Sequence, residues 1–167
     1  SGLDIYEITG GLRPERILIT HFFNPAYLMP LVEIVKGKST PQDTALIIKE
    51  FLEQTGKKPI IINKAVHGFV FNRIIMAMEL EAFHLVEEGI VSFEDIDNVI
   101  TTTMGPRFTF EGIFTLIDHC GLDTEALILK DLAPKLWKGN DVPISLLSRV
   151  ENGDYGIKTG KGFADYE

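Results

Sequence analysis

A histidine and a glutamate twelve residues apart are the first side chains in this sequence whose types and spacing could do chemistry. His21 follows the β-branched run Ile17–Thr20, and Glu33 lies between Val32 and Ile34 in a second apolar run. A carboxylate in such a run needs a polar partner, because an unpaired buried charge is costly. If the chain folds back between the runs, a hydrogen bond from His21 to Glu33 would fix the imidazole tautomer, as a general base requires. Alternatively, the histidine packs beside aromatic residues and the glutamate faces water, and the spacing alone leaves both interpretations open.

Two further polar features could contact a ligand. Asn72 lies in the apolar segment Gly68–Ile74, near a predicted helix start. Its amide could bind a ligand carbonyl or hydroxyl, although the residues alone favour a bond to the backbone. The segment Gly156–Phe163 contains three glycines and the lysines Lys158 and Lys161. Such a segment can let backbone and ammonium groups approach an anion, but it is also typical of a plain solvated loop.

Composition and missing motifs argue against several classes of function. The net charge is −8 and no dense run of Lys and Arg occurs, which speaks against a nucleic-acid partner. We predict no metal, because HExxH is absent and His67, His84 and His119 lack companions at metal-ligand spacing. GxSxG, GxxxxGK[ST] and GxGxxG are also absent. The single cysteine, Cys120, fits a reducing compartment and a cytoplasmic location. No apolar run approaches the ~20 residues that cross a bilayer, so no membrane partner is expected.

Up to about residue 65, the pattern predicts strands around one helix. The β-branched runs that indicate buried strands are Ile17–Thr20, Leu31–Val35 and Pro59–Ile62. The helix lies between the second and third strands, with Thr40 as its N-cap, Pro41 at its first position and Gly56 at its end. A strand–helix–strand unit builds a parallel sheet. Three strands would leave an open sheet edge, so we expect more strands outside this sequence.

After residue 65, every segment predicts helix. The predicted helices are Phe69–Glu88, Ser92 to about Thr103, Phe110–Cys120, Asp123–Lys138 and Ile144–Glu151. Ser92 and Asp95 form a capping box. The first helix is apolar on nearly all sides, so neighbours or a partner chain should bury it. The predicted fold class is mainly α, with a βαβ remnant of an α/β domain over residues 1–65 and a helical domain over residues 66–167.

Read in order, several segments resemble the 3-hydroxyacyl-CoA dehydrogenase family. The catalytic signature of that family is similar to His21–Pro25 continued by Leu31–Glu33, and the opening of its helical domain is similar to Gly68–Arg73. Later landmarks also match in order: Glu94–Asp97, Met104–Pro106, Gly121–Asp123 and Lys158–Phe163. The resemblance spans essentially the whole chain and implies the last part of a Rossmann NAD-binding domain before the helical domain. The family's GxGxxG loop lies at the first strand–helix turn. Because the sequence starts after that point, we interpret Ser1 as a cut end and expect the isolated chain to be inactive.

The resemblance also implies roles for individual residues. His21 would be the general base that takes the substrate hydroxyl proton as hydride passes to the cofactor NAD, and Glu33 would orient His21. The other implied contacts are Asn72 with the reacting end of the substrate, Asn24 and Lys158 with the cofactor, and Ser1 with substrate and nicotinamide. The helical domain would form the interface of a homodimer.

The implied reaction is oxidation of the 3-hydroxyl of an acyl-CoA to the 3-ketoacyl-CoA, as in the β-oxidation of fatty acids. Two departures favour an alternative. Pro30 stands where many such enzymes carry a lysine, and Arg107–Gly112 differs from the usual sequence after Met-Gly-Pro. Both resemble dehydrogenases of CoA-free hydroxy acids, such as gulonate or carnitine dehydrogenases, whereas the Lys158–Phe163 tail favours the acyl-CoA branch. A third interpretation is a non-catalytic structural or dimerisation domain, against which the retained polar site residues argue.

Overall fold

The computed structural model describes residues 13–166, within which three strands form one sheet. The strands are β1 (Leu18–Phe22), β2 (Leu31–Lys36) and β3 (Lys58–Ile62), in the order β1–β2–β3. β1 runs antiparallel to β2, whereas β2 and β3 are parallel and are connected through helix α1 (Gln42–Gln54). The predicted βαβ unit and its parallel pairing are confirmed.

One face of the sheet packs against α1. Val32 and Ile34 of β2 are fully buried and contact Ala45 and Leu52 of the helix. The two β2 residues share a face because successive side chains of a strand point to opposite sides. Full burial of one such aliphatic side chain stabilises the fold by about 1.5–3 kcal/mol. This small core fixes β2 at the centre of the sheet.

The opposite face of the sheet carries the candidate chemistry. Val35 of β2 packs there with Ile62 of β3 and with Phe69 beyond the sheet. Glu33 belongs to this face by alternation along the strand, and His21 pairs with it in the β1–β2 register. β2 is therefore buried on both sides, like the central strands of α/β sheets, with a carboxylate inside its apolar run.

Thr40 does not cap α1, so that prediction is wrong. The N-cap is Pro41, in extended conformation and without a side-chain capping bond. Proline disfavours helical geometry in the residue before it. Pro41 itself has extended backbone angles, so the helix begins at Gln42 and not at Pro41 as predicted, and Thr40 stays outside it. The buried Thr40 hydroxyl donates to the Ile17 carbonyl at 2.6 Å and accepts from the Gly37 N–H at 3.0 Å, which ties the turn after β2 to the chain before β1.

The chain divides into two compact units, with the boundary between Met76 and Ala77. That boundary falls inside helix α2 (Phe71–Glu87). The later helices are α3 (Phe93–Val99), α4 (Gly105–Phe110), α5 (Ile113–Cys120), α6 (Leu122–Leu132) and α7 (Ile144–Glu151). The predicted class, mainly α with a short sheet, is confirmed, while the division at residues 65 and 66 stays a prediction.

Prolines explain two differences between the predicted and observed helices. The helix expected to run to about Thr103 is α3 followed by a wider π-helical turn, Ile100–Met104, and then by α4. Such widening accommodates Pro106, whose ring would clash with a carbonyl of the preceding turn and which cannot donate a backbone bond. The helix expected to reach Lys138 ends at Leu132, because Pro134 follows and turns the chain into a short 3₁₀ segment. The Ser92 half of the capping box predicted for α3 is confirmed, since Ser92 Oγ accepts from the Asp95 N–H at 3.1 Å, and the Ser92 hydroxyl donates to the Asp95 carboxylate at 2.7 Å.

The helical unit leaves much apolar surface uncovered. No side chain within its described part, residues 77–166, is classed as buried. Large exposed apolar side chains occur on several of its helices, among them Phe110, Phe114, Leu127 and Ile144. Within the described residues, these apolar side chains of the helical unit therefore stay uncovered.

Two carboxylates of α2 hold the chain that leads into α7. Glu81 accepts from the Trp137 N–H at 2.8 Å. Glu87 Oε1 accepts from the N–H and the hydroxyl of Ser145, at 2.8 and 2.6 Å. Ser145 lies in the first turn of α7, where backbone N–H groups have no partner inside the helix. Glu87 thus supplies from another helix the cap that Pro143, the N-cap residue, does not provide.

The Glu87–Ser145 contact predicts a local pH dependence. Hydrogen bonds from Ser145 lower the pKa of Glu87 below its ordinary value of 4.5. A carboxyl whose pKa is lowered by folding stabilises the fold above its unfolded pKa, and that contribution is lost as the pH falls through the folded pKa. We expect the start of α7 to loosen from α2 in that acidic range. Fluorescence of Trp137, the single tryptophan of the sequence, should report it in a titration from neutral to acidic pH.

The matched variants for this titration are Glu87→Gln and Glu88→Gln. The first should flatten the acidic transition, because an amide at position 87 no longer titrates. The second removes a neighbouring exposed carboxyl and should leave the transition in place. An acidic transition that survives unchanged in Glu87→Gln would contradict the assignment.

Candidate active site

His21 and Glu33 face each other across the β1–β2 ladder. His21 Nδ1 lies 2.7 Å from Glu33 Oε2. The His21 side chain is 20% exposed and that of Glu33 is 0% exposed. The histidine therefore reaches solvent while its partner does not, and Nε2 is the ring nitrogen that the carboxylate does not engage. The structure thus brings together the two residues that the spacing had paired.

The second oxygen of Glu33 binds the start of helix α2. Glu33 Oε1 accepts from the N–H groups of Val70 and Phe71, both at 2.9 Å. A negative charge at a helix N-terminus is favourable, because the first N–H groups have no partner within the helix and the helix dipole is positive there. Within residues 13–166 the carboxylate thus has three hydrogen-bond partners, which offset the cost of burying its charge.

A left-handed turn precedes these two amides. Gly68 has φ +77° and Phe69 has φ +49°. Glycine adopts such angles readily, but they are uncommon for a residue with a large side chain. The sequence analysis did not predict this turn or the amide bonds to Glu33. Gly68 just before a helix was the available signal, together with the fact that a buried carboxylate has two oxygens to satisfy.

Aromatic rings surround the imidazole of His21. The Phe23 ring centroid lies 4.8 Å and the Phe69 centroid 5.4 Å from the imidazole, both in edge-on geometry. Phe71 in turn contacts Phe23 at 4.7 Å. Apolar walls around a hydrogen-bonded polar pair exclude water and strengthen its electrostatic interactions.

The other predicted residues lie in different places. Asn72 is half-buried in the first turn of α2, next to Phe71, whose N–H binds Glu33. Asn24 is exposed in the loop after β1. The carbonyls of Ala26 and Met29 in that loop accept hydrogen bonds from the Lys57 ammonium group, a contact that the sequence analysis missed. Ser1 lies outside the described residues.

The tail with Lys158 is a closed loop. The Gly156 N–H donates to the Lys161 carbonyl at 2.7 Å. The Arg149 guanidinium lies over the Phe163 ring at 4.1 Å and donates to the Gly162 carbonyl at 3.2 Å. Lys158 itself is exposed on this loop, in the helical unit.

The described residues contain neither a metal-binding cluster nor a membrane-spanning helix. Between residues 13 and 166, no three His, Cys, Asp or Glu side chains are grouped so that they could share a metal ion. Of the helices in that range, none combines the length and apolar character that crossing a membrane requires.

Two family models together match nearly the whole chain. Residues 1–66 match the 3-hydroxyacyl-CoA dehydrogenase NAD binding domain, and residues 68–166 match the 3-hydroxyacyl-CoA dehydrogenase C-terminal domain. The chain belongs to the 3-hydroxyacyl-CoA dehydrogenase family. The resemblance stated from the sequence is confirmed, and with it NAD as the cofactor.

Relatives in this family differ in their substrates. A probable 3-hydroxybutyryl-CoA dehydrogenase of Bacillus subtilis is 38% identical, and the match covers 100% of this chain and 58% of the relative. The 5-formyl-3-hydroxy-2-methylpyridine 4-carboxylate 5-dehydrogenase of Mesorhizobium japonicum is 31% identical, and the match covers 99% of this chain and 54% of the relative. L-carnitine dehydrogenase of Oceanobacillus iheyensis is 40% identical, and the match covers 72% of this chain and 40% of the relative. The chain thus spans roughly half the length of these relatives, or less.

Solved structures show that this similarity includes the fold. A crystal structure of a 5-formyl-3-hydroxy-2-methylpyridine 4-carboxylic acid 5-dehydrogenase, described as an NAD⁺-dependent dismutase, matches with a TM-score of 0.94 at 31% identity, over 100% of this chain and 54% of that one. (S)-3-hydroxybutyryl-CoA dehydrogenase from Ralstonia eutropha matches with a TM-score of 0.72 at 32% identity, over 100% and 58%.

Proposed function

We propose that this chain supplies the catalytic base of an NAD-dependent dehydrogenase that oxidises a 3-hydroxyacyl-CoA to the 3-ketoacyl-CoA, as in β-oxidation. In this proposal, residues 1–65 end the NAD-binding domain and residues 66–167 form the helical domain. The observation that carries the proposal is the 2.7 Å contact between His21 Nδ1 and the fully buried Glu33 carboxylate. The lone Cys120 supports a cytoplasmic location.

The pair fits the chemistry that oxidation of a hydroxyl requires. NAD, when bound, accepts the hydride, so the protein must take the hydroxyl proton. Glu33 holds Nδ1 of His21, which orients the ring and leaves Nε2 to receive that proton. The buried carboxylate then stabilises the imidazolium that forms, as an oriented aspartate does beside the histidine of a catalytic triad.

The remaining residues follow from the family resemblance. Asn72 would contact the reacting end of the substrate, and its place in the first turn of α2 supports this, because Glu33 holds both His21 and the start of that helix. By resemblance alone, Asn24 and Lys158 would contact the cofactor, and Ser1 would lie near the substrate and the nicotinamide.

A second candidate is oxidation of a hydroxy acid that carries no CoA. Its support is the TM-score of 0.94 with a dehydrogenase named for a pyridine carboxylate, together with the 40% identity to an L-carnitine dehydrogenase. Pro30, which replaces a lysine of many acyl-CoA enzymes, agrees with it.

Steady-state assays of the complete protein separate the two candidates. We expect NADH-dependent reduction of acetoacetyl-CoA to exceed NAD-dependent oxidation of L-carnitine and other free hydroxy acids in kcat/KM. The opposite order would replace the first candidate by the second. Absence of turnover with every substrate of both kinds would contradict both and favour a structural role.

We also propose that the helical part pairs with a second copy of the chain. The support is the apolar surface of residues 77–166, where no side chain is classed as buried. Exposed apolar surface of this extent is typical of an interface between chains. Sedimentation equilibrium should give a dimer mass at tens of micromolar, and a clean monomer at that concentration would contradict the proposal.

A further inference from the structure

Phe69 combines a strained backbone with a buried aromatic ring. Its φ of +49° lies in the left-handed region, which glycine enters with least strain. The side chain is nevertheless large and only 5% exposed. A strained conformation persists when the surrounding contacts require it, so the contacts of Phe69 indicate what the strain serves.

Those contacts reach both members of the proposed catalytic pair. The Phe69 ring lies edge-on to the imidazole of His21, with centroids 5.4 Å apart and an interplanar angle of 66°. Its backbone turn is followed directly by Val70 and Phe71, whose N–H groups bind Glu33 Oε1 at 2.9 Å. Phe69 therefore contacts His21 through its ring, and the backbone that follows Phe69 binds Glu33.

We propose that Phe69 is a positioning residue for His21 and Glu33, an inference that rests on the proposed function of that pair. Phe69 and Phe23 contact the imidazole edge-on, which restricts rotation of the ring about its own bond. The left-handed turn directs the two amides to Glu33, so the carboxylate cannot swing away from Nδ1 of His21. Fixing the ring keeps Nε2 where the substrate proton must be taken, and small misplacements of a catalytic group are known to lower rates strongly.

A role in the core alone explains less of this arrangement. The ring packs with Val35 and Ile62, as an ordinary core residue would. Core packing can be achieved from an unstrained backbone, however, and does not require an imidazole at the other edge of the ring. The two roles differ in what a volume-conserving substitution should change.

The test uses Phe69→Leu and Phe69→Met in the complete protein, so that misfolding of one variant leaves the other. Both keep an apolar side chain of similar size but remove the aromatic edge beside His21. We expect kcat to fall roughly 3- to 10-fold with KM unchanged, since the edge contact orients the base and does not bind substrate. The matched control is Ile62→Val, which trims the neighbour of Phe69 in the same cluster. It should lower the melting temperature and leave kcat as it is.

The same experiments distinguish failure of the positioning role of Phe69 from failure of the proposed function. If kcat stays at the wild-type value in the folded Phe69 variants, or falls equally in Ile62→Val, the positioning role is wrong. His21→Ala is measured in the same series. If His21→Ala keeps full turnover, the proposed function fails, whereas an inactive His21→Ala beside fully active Phe69 variants overturns this inference alone.

Discussion

Replacing His21 by alanine should lower kcat by about 10²- to 10⁴-fold, the range usually attributed to a positioned general base. The reason is that Nε2 is the ring nitrogen left available by the 2.7 Å bond between Nδ1 and Glu33. Cofactor affinity should change little, because a proton acceptor for the substrate hydroxyl need not contact the dinucleotide. Steady-state kinetics and calorimetric titration with NADH, both on the complete protein, measure the two quantities.

The control for this substitution is His67→Ala, at an exposed histidine outside the pair. It should keep near-normal turnover. If His21→Ala also kept it on every hydroxy substrate tried, the assignment of the base would be wrong.

Substitutions of Glu33 should separate activity from stability. Glu33→Ala removes the acceptor of all three described hydrogen bonds and leaves the N–H groups of Val70 and Phe71 and the imidazole without it. Hydrogen bonds to a charged group typically contribute about 1.5–3 kcal/mol each to the unfolding free energy. We expect a large fall in the urea midpoint of this variant as well as loss of activity.

Glu33→Gln should mainly impair the chemistry. Its carbonyl oxygen can still accept from Val70 and Phe71, so most of the stability should remain. Its NH₂ group would face Nδ1 of His21 and favour the tautomer with the proton on Nε2, which can no longer receive one. We expect kcat to fall about tenfold or more, but less than in His21→Ala. Equal losses of stability in the Gln and Ala variants would contradict this division. The control is Glu50→Gln, at an exposed position of α1, which should change neither stability nor kcat.

The sequence predicted the part of the site that side-chain patterns encode. A histidine at the end of one apolar run and a glutamate inside the next can meet only if the two strands pair, and they do. The family resemblance added Asn72, Asn24, Lys158 and Ser1, whose contacts with substrate or cofactor remain predictions.

The contacts that were not predicted involve backbone N–H and C=O groups, whose partners cannot be inferred from residue types. The amides of Val70 and Phe71 bind Glu33 because of backbone angles at Gly68 and Phe69, and any residue except proline could supply those amides. The carbonyls held by Lys57 are likewise invisible in a residue pattern. Helix ends were misplaced where a proline changed the geometry of the preceding turn. Backbone conformation set by tertiary contacts thus accounts for most of what the sequence analysis did not find.

A laboratory screen for stability should retain the residue at position 33 more strictly than it retains most catalytic residues. Active-site residues usually reduce stability, so a library screened for thermostability alone tends to lose them. Here one side chain both joins His21 and closes the start of α2. Such a screen should therefore retain an acceptor at this position, glutamate or glutamine, even when no substrate is present. His21 has no comparable share in holding the helix, so we expect it to be retained less strictly under the same selection.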